Sequence, residues 1–527
     1  MSSEKLFDAL SDVRDGFITE ALTYKPRKPS AHVIRWVAVA AVLALAVGLS
    51  TMFFIDHGLP LPPGGTAGGG SAAVTGPDNS TVFMSYAGPV FPLTLTDSAE
   101  GIQAKRSITF DFTEFGQPGA LDSGIGLHAN DIRVRDSYIL TNTTSNDMTV
   151  QFAYPFAGSF AELDRLLPTI SVGQAGLPVA DTTLLAGAFS GGFQGIEGHE
   201  DEYINLRLIT QWQDYVTLLS DSSYLRRAMT KAPRLDQSVI VYSFTDLTAD
   251  HAASINPTLA VGFNLDYSRT TVLSYGFHGA SIDPDAGFMR QSFSIPRADL
   301  LTHERTFKLI VLGDDITDIN MLGFANAGWN PDEERDDITA VMTRSEARLG
   351  DVFEQLVNEF LGFRAPYVLG YDTWGFSAQL FHRAAAELLL DFGMLADNTA
   401  RRYQTGWLEE IFSEALMMTR VFYLTAELTI PAGQSVEVTV DMIKAGSFDF
   451  FGAGSRNQGL TGYDMMTTLG SNLEFTSPIA NIKGYDSIVI ENQNFGFDLE
   501  RGITNVYLDI NVPRYFIEVV RAPSPTR

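Results

Sequence analysis

Between Trp36 and Ile55 the chain carries no charged residue, and its only hydroxyls there are Ser50 and Thr51. A helix over such a stretch rises about 1.5 Å per residue and reaches roughly 30 Å, the thickness of a bilayer's hydrocarbon core. It satisfies its own backbone hydrogen bonds, which lipid cannot do for it. A core helix of a water-soluble protein would show a polar face, and this stretch shows none. We therefore expect a transmembrane helix over 33–55, with residues 36–55 in the lipid bilayer. Lys25, Arg27, Lys28 and Arg35 precede it, and no Lys or Arg follows until Lys105. The positive-inside bias puts the N-terminus in the cytoplasm and the C-terminal domain outside the cell. A cleaved signal peptide is the rival reading, but its apolar core and basic leader are normally shorter.

Charge divides at the same place. Residues 1–57 hold six Lys or Arg and six Asp or Glu, so the formal charge of −27 falls entirely after them. An acidic ectodomain argues against nucleic acid and against docking on anionic lipid. The absence of cysteine removes disulfides, thiolate metal sites and cysteine nucleophiles together. An exported domain of this kind must rely on core burial.

On the cytosolic side, residues 1–24 form an expected amphipathic helix. Leu6, Leu10, Val13, Phe17 and Ala21 recur at spacings of three and four. A helix this short cannot bury its stripe alone, so residues 4–22 suit either the inner membrane surface or a cytosolic protein partner. The opening EKLFDALSDVRDGFITEA, the basic KPRK and the apolar stretch together resemble the leaders of single-pass membrane proteins of Gram-positive bacteria. Some of those are similar to anti-sigma or sensor-type regulators. The resemblance covers about the first 55 residues and implies topology more than activity. It lacks the His/Cys set of a zinc-type anti-sigma domain. Beyond the span, 58–80 is a Gly/Pro/Ser-rich linker, a composition that stays flexible.

From 81 to 335 strand signals dominate. Ile132, Val134, Tyr138 and Leu140 alternate with polar residues, NTTSND follows, and Met148, Val150, Phe152 and Tyr154 alternate again. That pattern predicts a hairpin with one buried face. QSVIVYSF, PTLAVGFNLDY and TFKLIVLG are further strand candidates, and 158–168 suits a helix. Residues 344–420 carry three amphipathic helical patterns, read as a helical insertion. Strands return over 421–520. There Leu424, Ala426, Leu428 and Ile430, the turn PAG, and Val436, Val438, Val440 and Met442 predict a second hairpin. The expected fold is mostly β, a sandwich-like ectodomain with a helical insertion, plus one N-terminal transmembrane helix. The pattern does not say whether the two β regions share one core.

Few motifs suggest chemistry. FKLIVLGDDITDIN resembles the late acidic motif of haloacid-dehalogenase-type phosphatases, with Asp314, Asp315 and Asp318 in the matching places. In that family such carboxylates hold magnesium. The only partner for a nucleophile motif, Asp283-Pro-Asp285, lies about 30 residues upstream, too close for the intervening βα units. A strand ending in an acidic turn is the better account. Asp283, Asp285, Asp314, Asp315 and Asp318 remain the candidate metal residues, as hard oxygen ligands that would suit calcium. NPDEERDD reads as a solvated acidic loop. GHEDEY lacks the second His of a metalloprotease helix, and no Gly-x-Ser-x-Gly elbow occurs. The sequence names no catalytic residue and no cofactor-binding residue. It favours a non-catalytic extracellular module for ligand binding, adhesion or envelope sensing, its ligand unidentified. The alternatives are a transmembrane regulator with a cytosolic docking helix and an envelope hydrolase.

Overall fold

The computed structural model describes residues 79–523, apart from 117–118, 121–125, 174–176, 179–180, 190–192, 197–198, 207–208, 231, 255, 298–305, 369–373, 392, 397–405 and 450–456. The expected cytosolic helix, the span and all but the last two residues of the 58–80 linker lie outside the described residues. Among the described residues no helix is long and apolar enough to cross a membrane.

The strands begin with β1 (Thr94–Leu95), β2 (Ile102–Asp111), β3 (Asp131–Asn142) and β4 (Met148–Gly158). The short helix α1 (Leu163–Leu166), β5 (Thr169–Val172), β6 (Thr183–Ala186), α2 (Trp212–Leu218) and α3 (Ser223–Met229) follow. Then come β7 (Ser238–Thr248), β8 (Thr258–Asn264), β9 (Thr270–Tyr275), β10 (Gly279–Asp283), β11 (Phe288–Ser294), β12 (Phe307–Gly313), β13 (Thr317–Phe324) and β14 (Thr339–Arg348). Three helices, α4 (Leu349–Val368), α5 (Ala378–Asp391) and α6 (Leu408–Met417), lead back to strands. The chain ends with β15 (Arg420–Ile430), β16 (Ser435–Ala445), β17 (Thr461–Met466), β18 (Ile479–Lys483), β19 (Ile488–Gln493) and β20 (Arg514–Arg521).

Both expected hairpins prove to be something else. β3 pairs with β2 and β16, while β4 pairs with β1 and β15. β15 and β16 likewise lie in different sheets. Each turn therefore carries the chain across the core from one sheet to the other. Alternation shows only that one face of a strand is buried; a strand opposite across the core satisfies that as well as a neighbour in the ladder. The two crossings stack, so β3 bonds to β16 and β4 to β15 over their whole lengths. The early and late β regions thus share one core. Phe110, Val134 and Val440 from one sheet and Phe152 and Leu424 from the other belong to the same buried cluster.

Between β4 and β15 the short strands β5 and β6 still belong to the main sheets, pairing with β16 and β15; residues 187–419 are inserted, so the region 81–335 is not a continuous unit. Within the insertion, β7–β14 form two four-stranded sheets, β9-β12-β7-β14 and β10-β11-β8-β13. They enclose their own core, in which Phe293 and Phe307 stack with centroids 4.1 Å apart. Val239, Val241, Leu273 and Ile310 point from the first sheet to the other side, where they join α4, α5 and α6. The helical pattern expected from 344 begins at Leu349, because residues up to Arg348 complete an edge strand paired with β7.

Candidate functional site

The five aspartates singled out by sequence sit at one end of the inserted sheets. Asp283 and Asp285 flank the tip between β10 and β11, where Asp283 accepts the Ala286 amide at 3.0 Å. Asp314 pairs with Arg269 at 2.8 Å. Asp315 accepts from the Tyr242 hydroxyl at 2.8 Å and from Arg344 at 3.0 Å. Asp318 accepts from Asn264 at 2.9 Å. Register puts Asp283 and Thr317 three strands apart, about 14 Å at ordinary strand spacing. Among the described residues no three acidic or imidazole groups lie together as a metal cage would require. The strand TFKLIVLG does end in an acidic turn, and its carboxylates bond to side chains and backbone around them.

The concentration of buried charge lies elsewhere, on inward positions of the main sheets. Ile102, Ala104, Arg106, Ile108 and Phe110 alternate inward along β2, so Arg106 points into the core at 2% exposure. Asp136 does the same on β3 and is fully buried. The two form a two-pronged pair at 3.0 and 2.8 Å. The Tyr138 and Tyr154 hydroxyls donate to the same carboxylate; Arg106 Nη1 donates to the Met466 carbonyl, and Nη2, shared with Asp136, also donates to that of Phe91. Burial first, then the Asp136 charge, holds Tyr154 protonated well above its usual range. A buried ion pair satisfied on every side is rigid and expensive to break.

A second charged floor supports the chain where the described residues begin. Residues 79–87 run over β17 and β20 as an irregular strap, held mainly by side chains. Arg514 donates to the Ser80 hydroxyl at 2.7 Å. Glu518 receives both the Thr81 amide and, at 2.7 Å, its hydroxyl. Asn457 donates to the Val82 carbonyl and Asp449 accepts the Met84 amide. The Tyr86 hydroxyl donates to Asp464 at 2.5 Å, and Asp464 in turn accepts from Arg514 at 2.7 Å. Trp212 lies under the Arg514 guanidinium at 5.4 Å. Lys444 closes the row, donating to the carbonyls of Ala87 and Ala445 at 3.1 and 3.0 Å.

Lys444 occupies the inward register that Val438, Val440 and Met442 set along β16. Desolvation holds its ammonium down to about 8, against the opposing pull of Asp464 and Asp131. No described carboxylate ion-pairs with it. Two small cavities lie at the strap. One of about 20 Å³ is bounded by Ala87, Phe91, Met442 and Lys444, and one of about 10 Å³ by Phe83, Tyr86, Asp464 and Arg514. Each has room for about one water. Asp464 Oδ1 and the Tyr215 hydroxyl, both buried, have no hydrogen-bond partner among the described residues. Glycine permits the close fit. At Gly88, φ is +74° and a Cβ would come within 2.6 Å of the Tyr215 hydroxyl, while a Cβ at Gly462 would strike the Phe83 ring at 2.5 Å.

This arrangement captures an extended backbone and its hydroxyls. Sequence reasoning missed Arg106, Asp136, Lys444, Asp464, Arg514 and Glu518. For the first three the signal was present, a charge at an inward place in an alternating strand. No protein-family model matches the chain, and no curated protein matches it either.

Proposed function

We propose that this is a single-pass membrane protein of the bacterial envelope, with its N-terminus in the cytoplasm and its β-rich body outside the cell as a non-catalytic binding or sensing module. The observation that carries this reading is how the buried charges are used. Arg106, Asp136, Arg514, Asp464 and Glu518 spend most of their polar atoms on one another and on chain segments. Such groups hold a surface in shape. The strap follows directly on the linker sequence, so the body is fastened where a membrane tether would load it. The sandwich-like reading of the body rests on the two facing sheets that share one core.

Protease applied to intact cells tests the topology. Residues 81–520 should be digested while a fragment of about the first 60 residues survives. Survival of the full chain, with known surface proteins digested in the same sample, would contradict the orientation.

A further inference from the structure

We propose that the floor beneath residues 79–87 is a peptide-binding groove, occupied in cis by the strap, whose ligand in trans is an extended peptide with two leading hydroxyl residues followed by Phe and Tyr anchors. This deepens the binding-module reading and rests on it for biological context.

The strap is bonded as a ligand is bonded. Among the described residues, the only backbone-to-backbone partner within 79–87 is Phe448, which exchanges two hydrogen bonds with Ser85 at 2.9 and 3.0 Å. Every other backbone group named here is met by a side chain of the body. Asn492 donates to the Asn79 carbonyl, Asn457 to that of Val82 and Lys444 to that of Ala87. Asp449 accepts the Met84 amide, and Ser447 accepts that of Ala87. These bonds are indifferent to sequence. Selectivity comes from Ser80 on Arg514, Thr81 on Glu518, Phe83 over Gly462 and Tyr86 on Asp464. Val82 and Met84 face outward, 45% and 63% exposed, so those positions tolerate any side chain.

The strap can leave without disturbing the sheets. From Val90 onward the chain is fixed again, by its bridge to Met465, by Arg106 on the Phe91 carbonyl and by the Tyr138 hydroxyl, which accepts the Leu93 amide. Gly88 separates the two parts. The occupant also leaves the floor incompletely satisfied, since Asp464 Oδ1 has no donor among the described residues. An outside peptide carrying one more donor there would compete well.

The chain has no cysteine, so a redox lock can be introduced cleanly. Ser85 and Phe448 form a hydrogen-bonded antiparallel pair, whose Cα atoms lie about 5.5 Å apart, within disulfide range. The probe is a fluorescent peptide, Asn-Ser-Thr-Val-Phe-Met-Ser-Tyr-Ala, titrated against the detergent-purified full-length Ser85→Cys/Phe448→Cys chain. Binding should fall at least tenfold on oxidation and return on reduction. A peptide with Ala in place of Phe and Tyr should bind at least tenfold more weakly to the reduced chain. In the chain carrying Phe83→Ala/Tyr86→Ala, whose own strap is weakened, the first peptide should bind at least tenfold more tightly than to wild type. Equal binding to oxidised and reduced chains, or equal binding of both peptides, would overturn the proposal. If the Ala variant fails to fold, the redox pair decides, because it keeps both anchors. The purified chain has no membrane orientation, so failure here is distinct from failure of the topology.

Discussion

The Asn142 side-chain amide donates to the carbonyl of Ile430 at 2.9 Å, across 288 residues of sequence. It also donates to Asn146, and its oxygen accepts the Thr144 amide. One fully buried side chain thus ties the β3–β4 crossing to the end of β15. Asp147 adds a second stitch by accepting the Ala432 amide. The corner adds to the two ladders that pair the early and late β regions along their lengths.

Asn142→Ala should accordingly destabilise the main body by about 2–4 kcal/mol, since it leaves buried backbone groups without partners. Asp147→Ala, at an exposed position, should cost about 1 kcal/mol or less. Urea unfolding followed by tryptophan fluorescence measures both. Equal effects would show that the Asn142 bonds contribute no more than a surface turn.

Asp136→Ala strands the Arg106 guanidinium in the core and should cost about 3–5 kcal/mol. Arg106→Met/Asp136→Leu removes both charges and should recover most of that loss. The same denaturation series reads the difference. A double variant as unstable as the single would mean that the tyrosines and carbonyls around the pair need its charges.

Lys444 gives stability a pH dependence of defined sign. Its folded value is depressed from 10.5 to about 8. Between those values the unfolded chain binds more protons, so stability rises with pH across the window, by roughly 3 kcal/mol in total. Below about pH 8 both states are protonated and the cost of burying the charge is present in full. Lys444→Met should remove the rise. Subtracting its pH–stability curve from that of wild type isolates the effect from the buried tyrosines, and a flat difference between pH 8 and 10 would contradict the assignment.

Strands were legible in the sequence wherever alternation ran through apolar residues, as in Val438, Val440 and Met442. Arg106, Asp136 and Lys444 continue the same alternation, but a charge in the pattern reads as solvent-facing unless its partner is known. Those partners come from distant strands. The pairing was illegible for the same reason: β3 alternates identically whether β4 lies beside it or across the core. The strap carries no periodicity at all. Thr81 is held by Glu518, 437 residues later, and nothing local announces that bond. The acidic turn after β12 was readable because Gly313 and Asp314 directly follow an apolar run.

The central claim is that residues 79–87 are seated on a charged floor through Glu518 and Arg514. Hydrogen exchange of the Thr81, Met84 and Ser85 amides tests it most directly, in wild type and in Glu518→Gln/Arg514→Met. The account expects these amides to be protected in wild type and to exchange at least tenfold faster in the variant, while Tyr138 and Val440 in the sheets keep their rates. Strap amides exchanging at the rate of an unstructured peptide in the wild-type protein would contradict it.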